Sequence, residues 1–237
     1  MLVRNKKTFS VGVVFAISFL VVLLLIFSPL FGGKNGLQFS DDSFNRLAKG
    51  SSYFIPKVSK SVEKVAGKPV SAAIKLDKEE DVEATAKLFT TAGAKVDIAD
   101  KMILKIDGDL GVILQSVLKD ADSMYKNDGK AVAERYGYDE KKAMKNWWTA
   151  LSKIEKGLKK DRNVADAKII SDVNKKAVEP GYNFYMVDAN KVSEHAGMMS
   201  GLLVFYVAYT MWWGYAIFYM FDGLGLSMKK AKVKKEA

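Results

Sequence analysis

The side chains best equipped for chemistry form an acidic run, Asp77, Glu79, Glu80, Asp81 and Glu83, and a second pair, Asp107 and Asp109, on either side of Gly108. Carboxylates at this density could hold a divalent cation through their oxygens, but they lack the spacing of an EF-hand loop. Acids also favour the first turn of a helix, where they meet the positive end of its dipole. The run is therefore read as a helix start, and Asp107-Gly108-Asp109 as a tight turn followed by an N-cap. His195, the single histidine, stands beside Glu194 at the mouth of a long apolar run. A haem or metal there would need ligands that the other apolar run does not contain, so only a symmetric dimer or a partner subunit could complete it. An interfacial histidine is the simpler reading. No G-x-S-x-G elbow accompanies it to suggest a Ser/His/Asp arrangement.

Gly223-Leu224-Gly225 is not placed between a strand and a helix, so it reads as a helix end and not as a nucleotide loop. Trp147 falls on an apolar stripe and is expected in a core, while the adjacent Trp148 is free to edge toward a partner. The sequence contains no cysteine, which excludes disulfides, thiolate metal sites and cysteine nucleophiles. These residues form no convergent catalytic set, and neither an enzyme nor a resident cofactor or metal is expected.

Three segments must position them. Residues 9–31 and 198–221 are apolar runs without a charge, each longer than the ~20 residues needed to cross ~30 Å of hydrocarbon as a helix. The first exceeds the h-region of a cleavable signal and has no A-x-A-like site, so it reads as an uncleaved signal anchor. The net charge of +10 is concentrated outside the two runs, at Arg4, Lys6 and Lys7 and at five lysines from Lys229 onward. The middle is then left with 29 Lys and Arg against 25 Asp and Glu. That mixed surface does not suit nucleic acid, and the basic ends suit the cytoplasmic side of a membrane. The expected order is a cytoplasmic tail (1–8), transmembrane helix 1 (9–31), an extracytoplasmic domain (32–196), transmembrane helix 2 (197–221) and a basic cytoplasmic tail (222–237). In a bacterial cell this means the inner membrane and a periplasmic domain.

The middle segment reads as α+β. Pro56 suits the first turn of a helix carrying Val58, Val62 and Val65. A strand over 70–76, a helix with Val82, Ala86 and Phe89 on one face, two alternating strands over 94–98 and 102–106, and a helix opening at Asp109 follow in order. This β-α-β-β-α series matches most of a ferredoxin-like fold. Its last strand is expected at 167–170, after a helical insert whose main element, 139–158, carries Met144, Trp147, Leu151, Ile154 and Leu158. Residues 182–187 read as a short strand, and a helix is expected from Asn190 into the membrane.

The two apolar helices are expected to form a direct antiparallel hairpin. One face of the second carries Gly197, Gly201, Val204, Ala208, Trp212, Tyr215 and Tyr219; one face of the first carries Gly12, Ala16, Phe19, Leu23 and Phe27. Small residues of each then oppose large residues of the other, with Phe27 near Gly201 and Ala16 near Tyr215, as close membrane packing requires. The alternative is that other subunits separate the helices. Tyr209, Trp212 and Trp213 fall near mid-membrane, where their polar atoms need partners, and this favours contact with protein over bare lipid. The function expected is that of a non-catalytic accessory or scaffold subunit, its outer domain bracing other integral membrane subunits. An extracytoplasmic sensor acting through a partner, and a homo-oligomeric ring resembling a co-polymerase, are the alternatives.

Overall fold

The two uncharged runs form the two longest helices of the chain, α1 (Lys6–Phe27) and α10 (Ala196–Leu224). The computed structural model describes residues 3–226, so the lysine-rich tail expected to be cytoplasmic lies outside the described residues from 227 onward. The described chain separates into two units, one of residues 3–44 and 191–226, the other of residues 45–190.

In the first unit α1 opens where the Asn5 side chain accepts from the Thr8 backbone N–H (3.2 Å), which supplies one of the unpaired donors of a helix start. It is displaced from the 9–31 expectation because Ser28 is extended and Pro29 cannot continue a helix. A second helix, α2 (Gly36–Ser51), begins at a reciprocal cap: Gln38 N–H donates to Asn35 Oδ1 (2.9 Å) and Asn35 N–H to Gln38 Oε1 (3.1 Å). One 3₁₀ turn (Val192–His195) precedes α10, so the helix expected from Asn190 starts later. Gly225 ends α10 with φ +77°, a left-handed position that glycine adopts without a Cβ clash. Both α1 and α10 are long and apolar enough to cross a membrane.

α1 and α10 pack antiparallel. The Arg4 and Asn5 N–H groups both donate to the Gly223 carbonyl (3.0 and 2.9 Å). A Cβ on Gly12 would lie 2.6 Å from the Met220 nitrogen, and one on Gly223 would lie 2.6 Å from Phe9. Backbone meets backbone at these two glycines, as in close-packed membrane helices.

The second unit is mixed α+β and mostly helical. After α3 (Ile55–Val62), with Pro56 in its first turn, come β1 (Pro69–Lys75), α4 (Val82–Thr91), β2 (Lys95–Asp100) and β3 (Ile103–Asp109). β3 lies between β1 and β2 and is antiparallel to both, with Ile74 opposite Leu104 and Val96 opposite Ile106. α5 (Leu110–Tyr125) then starts at Asp109, whose side chain accepts from Val112 N–H (3.0 Å). α6 (Gly129–Tyr136), α7 (Glu140–Lys160), α8 (Val164–Val173), a π-helical turn (Asn174–Val178) and α9 (Glu179–Asn183) complete it.

Residues 167–170, expected as a fourth strand, are helical within α8. Asp166, Ala167, Ile170 and Val173 are buried at a spacing of three and four, which is a helical face. The sheet therefore stops at three strands among the described residues. The strand expected at 182–187 is instead the end of α9 and a turn in which Met186 has φ +65°. The core is sealed by Trp147, Phe89, Leu104, Ile106, Leu114 and Leu151, all at most 1% exposed.

Candidate functional site

The hairpin interface forms where the tightest backbone approach permits. Phe19 of α1 stacks on Tyr209 (centroids 4.1 Å apart) and leans on Trp213 (4.8 Å), while Phe15 meets Tyr219 (6.0 Å). Gly12 lies against Ala216 and Met220. Ala16 and Leu23 are half-buried, whereas Phe27 at the far end of α1 is exposed. On α10, Trp212 and Tyr219 are half-buried, but Gly197, Gly201, Val204 and Ala208 are exposed, and a Cβ on either glycine would meet nothing within 4 Å. Tyr215, paired with Ala16 by sequence, is 48% exposed, and its neighbour Ala216 is buried. The contact face of α10 thus runs through Tyr209, Ala216, Met220 and Gly223, about one residue of rotation from the sequence-derived face. Phe9, Phe15, Tyr209, Trp213, Ala216, Met220 and Gly223 are contact residues that lie off the two sequence-derived faces.

Two polar atoms in this unit are enclosed without a hydrogen-bond partner, Tyr209 Oη and Trp212 Nε1. Trp212 also borders a shallow apolar groove with Val14, Ile17, Ser18, Val21 and Val22. The Ser18 hydroxyl is already donated to the Phe15 carbonyl (3.0 Å). Elsewhere on α10, Leu203, Val204, Tyr206, Tyr215 and Phe218 stand exposed. His195 sits at the start of α10 with Nδ1 3.3 Å from the Lys191 carbonyl.

Two of the buried charges of the 45–190 unit, Asp120 and Lys49, tie its elements together. Asp120 of α5 is 0% exposed and accepts from Arg135, from Tyr136 Oη (2.5 Å) and from Trp147 Nε1 (2.8 Å). Burial pushes the Tyr136 phenol up to about 12, with Arg135 working against the shift. The carboxylate fastens α5, α6 and α7 together, because a buried charge is tolerated when donors surround it.

Lys49, 3% exposed, donates all three ammonium hydrogens: to Asn127 Oδ1 (2.8 Å) and to the carbonyls of Phe184 (3.0 Å) and Val187 (2.6 Å). Desolvation lowers its pKa, partly offset by the charge of Asp188. Tyr125 donates to the Lys49 carbonyl, and Asn190 N–H donates to the Arg46 carbonyl (3.0 Å). A side chain on Gly50 would collide with the Asn190 carbonyl. The two ends of the unit are clasped to each other.

Three of the five acids of the run pair with lysines. Asp77 pairs with Lys153 (2.9 Å), Glu80 with Lys78 (3.1 Å) and Asp81 with Lys142 (3.3 Å). Among the described residues no group of three or more His, Cys, Asp or Glu could hold a metal ion. Trp147 is in the core, and Trp148 is exposed at its edge, donating to Glu179 (2.9 Å). No protein-family model, curated protein or solved structure matches this chain. Its chemistry is read from its own geometry.

Proposed function

We propose that this chain is a non-catalytic subunit of a membrane assembly, anchored by the α1–α10 hairpin, with the 45–190 unit bracing partner subunits on the extracytoplasmic side. The observation that carries the reading is the pair of enclosed, unpartnered atoms Trp212 Nε1 and Tyr209 Oη near the middle of α10. Inside hydrocarbon there is no water to take such hydrogens, and buried Trp and Tyr normally find an acceptor. A helix of another integral membrane subunit, presenting a carbonyl or hydroxyl at that depth, supplies one directly or after a rotamer turn of the ring. Tyr206, Tyr215 and Phe218, exposed on different sides of α10, favour the same kind of neighbour.

The hairpin brings the Arg4 end of α1 beside Gly223, so the two ends of the described chain lie on one side. The positive-inside rule assigns that side to the cytoplasm. Tags at either end of the full chain are expected to resist protease added to intact spheroplasts while the middle is cut; cleavage of an N-terminal tag from outside would reverse the topology.

The assembly is tested by purification in mild detergent from the native membrane. Integral membrane partners in fixed stoichiometry are expected, reduced in amount by Trp212→Phe with Tyr209→Phe. A chain that purifies alone as a closed ring supports the homo-oligomer alternative, and a chain that purifies alone as a monomer overturns the subunit reading.

A further inference from the structure

A second site lies wholly within the 45–190 unit, in a hollow of about 110 Å³ between the start of α4 and the outer face of α7. Thr85, 0% exposed, and Asn146, 4% exposed, both border it, and neither Thr85 Oγ1 nor Asn146 Nδ2 has a hydrogen-bond partner. Several helical hydroxyls in this chain are satisfied on the preceding turn: Thr90 donates to Ala86 (3.0 Å), Ser43 to Phe39 (2.8 Å) and Thr210 to Tyr206 (3.0 Å). Thr85 does not. The Tyr138 phenol gives its hydrogen to the Ala84 carbonyl (3.0 Å), and its oxygen can take at most one of the two Asn146 amide hydrogens, so the other is left to the hollow. Leaving such groups buried and unpaired costs ~1–3 kcal/mol each, so the hollow suits an occupant that accepts hydrogen bonds.

The charges around it select the class. Asp77 and Asp81 at the rim are matched by Lys153 and Lys142, and Lys78 is matched by Glu80. Lys145, exposed at the rim, forms no ion pair among the described residues and leaves one positive charge in surplus. We infer that this hollow binds a small monocarboxylate, its oxygens accepting from Thr85 and Asn146 and its charge facing Lys145. The volume and the single surplus charge disfavour a phosphate dianion beside two carboxylates. The inference does not depend on the hairpin or on any partner of it.

The test uses the full chain in detergent and reads its unfolding midpoint in sodium acetate against sodium chloride at equal ionic strength, with acetamide as the uncharged counterpart. Acetate is expected to raise the midpoint saturably and acetamide to leave it unchanged. Thr85→Val keeps the shape of the side chain and removes the hydroxyl, so it is expected to weaken acetate at least about tenfold without lowering the midpoint in chloride. Lys145→Gln, at an exposed position, is expected to weaken acetate severalfold and serves as the test if the valine variant does not fold. A wild-type response to acetate no larger than to chloride or acetamide means that water alone occupies the hollow and overturns the inference. So does an acetate response that survives the threonine and lysine changes.

Discussion

Trp147 and Trp212 are both indoles enclosed between helices, and they differ in what receives the N–H. Trp147 donates to Asp120, inside a node that also satisfies Arg135 and Tyr136. Trp212 has no acceptor, and neither does Tyr209 one turn away. The 45–190 unit therefore closes the cluster around Asp120 from within its own sequence, while the two ring donors of the hairpin have no acceptor within theirs. The contrast is between a buried charge closed by donors of its own unit and neutral ring donors left open; the open groups of Thr85 and Asn146 in the 45–190 unit belong with the second kind.

The largest effect that can break this comparison is expected from Asp120→Ala. It strands Arg135, Tyr136 and Trp147 in the core, and losing one partner of a buried charged network costs ~3–5 kcal/mol. Chemical denaturation of the full chain, followed by the near-UV signal of Trp147, reads it; a loss below ~1 kcal/mol would show that the node is ornamental. Next is Lys49→Met, which fills the space but removes a charged donor from three acceptors, each of which keeps only a neutral one: Asn127 Oδ1 from Met186 N–H, the Phe184 carbonyl from Val187 N–H and the Val187 carbonyl from Asn127 Nδ2. The expected loss is ~2–3 kcal/mol in the same measurement.

The comparison is sharpened by making one change at both indoles. Trp147→Phe removes a hydrogen bond to a charged acceptor and is expected to cost ~1.5–3 kcal/mol. Trp212→Phe removes no bond within the chain, so its effect on unfolding is expected to stay within ~0.5 kcal/mol while co-purifying partners are lost. Equal destabilisation by both changes would mean that Trp212 already has an internal acceptor, and that the hairpin needs no neighbour.

Local signals in the sequence carried much of the fold. Asp109 as an N-cap, Pro56 in a first helical turn, the alternation through Val96 and Ile106, and the stripe from Met144 to Leu158 each correspond to the element they predict. Residues 167–170 misled because two adjacent isoleucines mimic a short buried strand; the helical spacing emerges only when Asp166 and Val173 are counted with them. Asp120 and Lys49 were not legible, since an acid beside an apolar stripe and a lysine in a polar helix ordinarily face water. Their burial depends on donors and acceptors 15 to 138 residues away. The hairpin face was misjudged by about one residue because both helices are apolar all round. With no polar side to orient them, one residue shifts a face by about 100°.

The clasp at Lys49 also determines how the 45–190 unit carries a mechanical load. The chain leaves it at Asn45 and Asn190, and the Arg46–Asn190 and Lys49–Val187 bonds tie these exits together. Tension applied between the exits is therefore taken first by a few hydrogen bonds at the base of the unit. The three-stranded sheet and the Asp120 node lie in the loop behind that knot and stay unloaded until it parts.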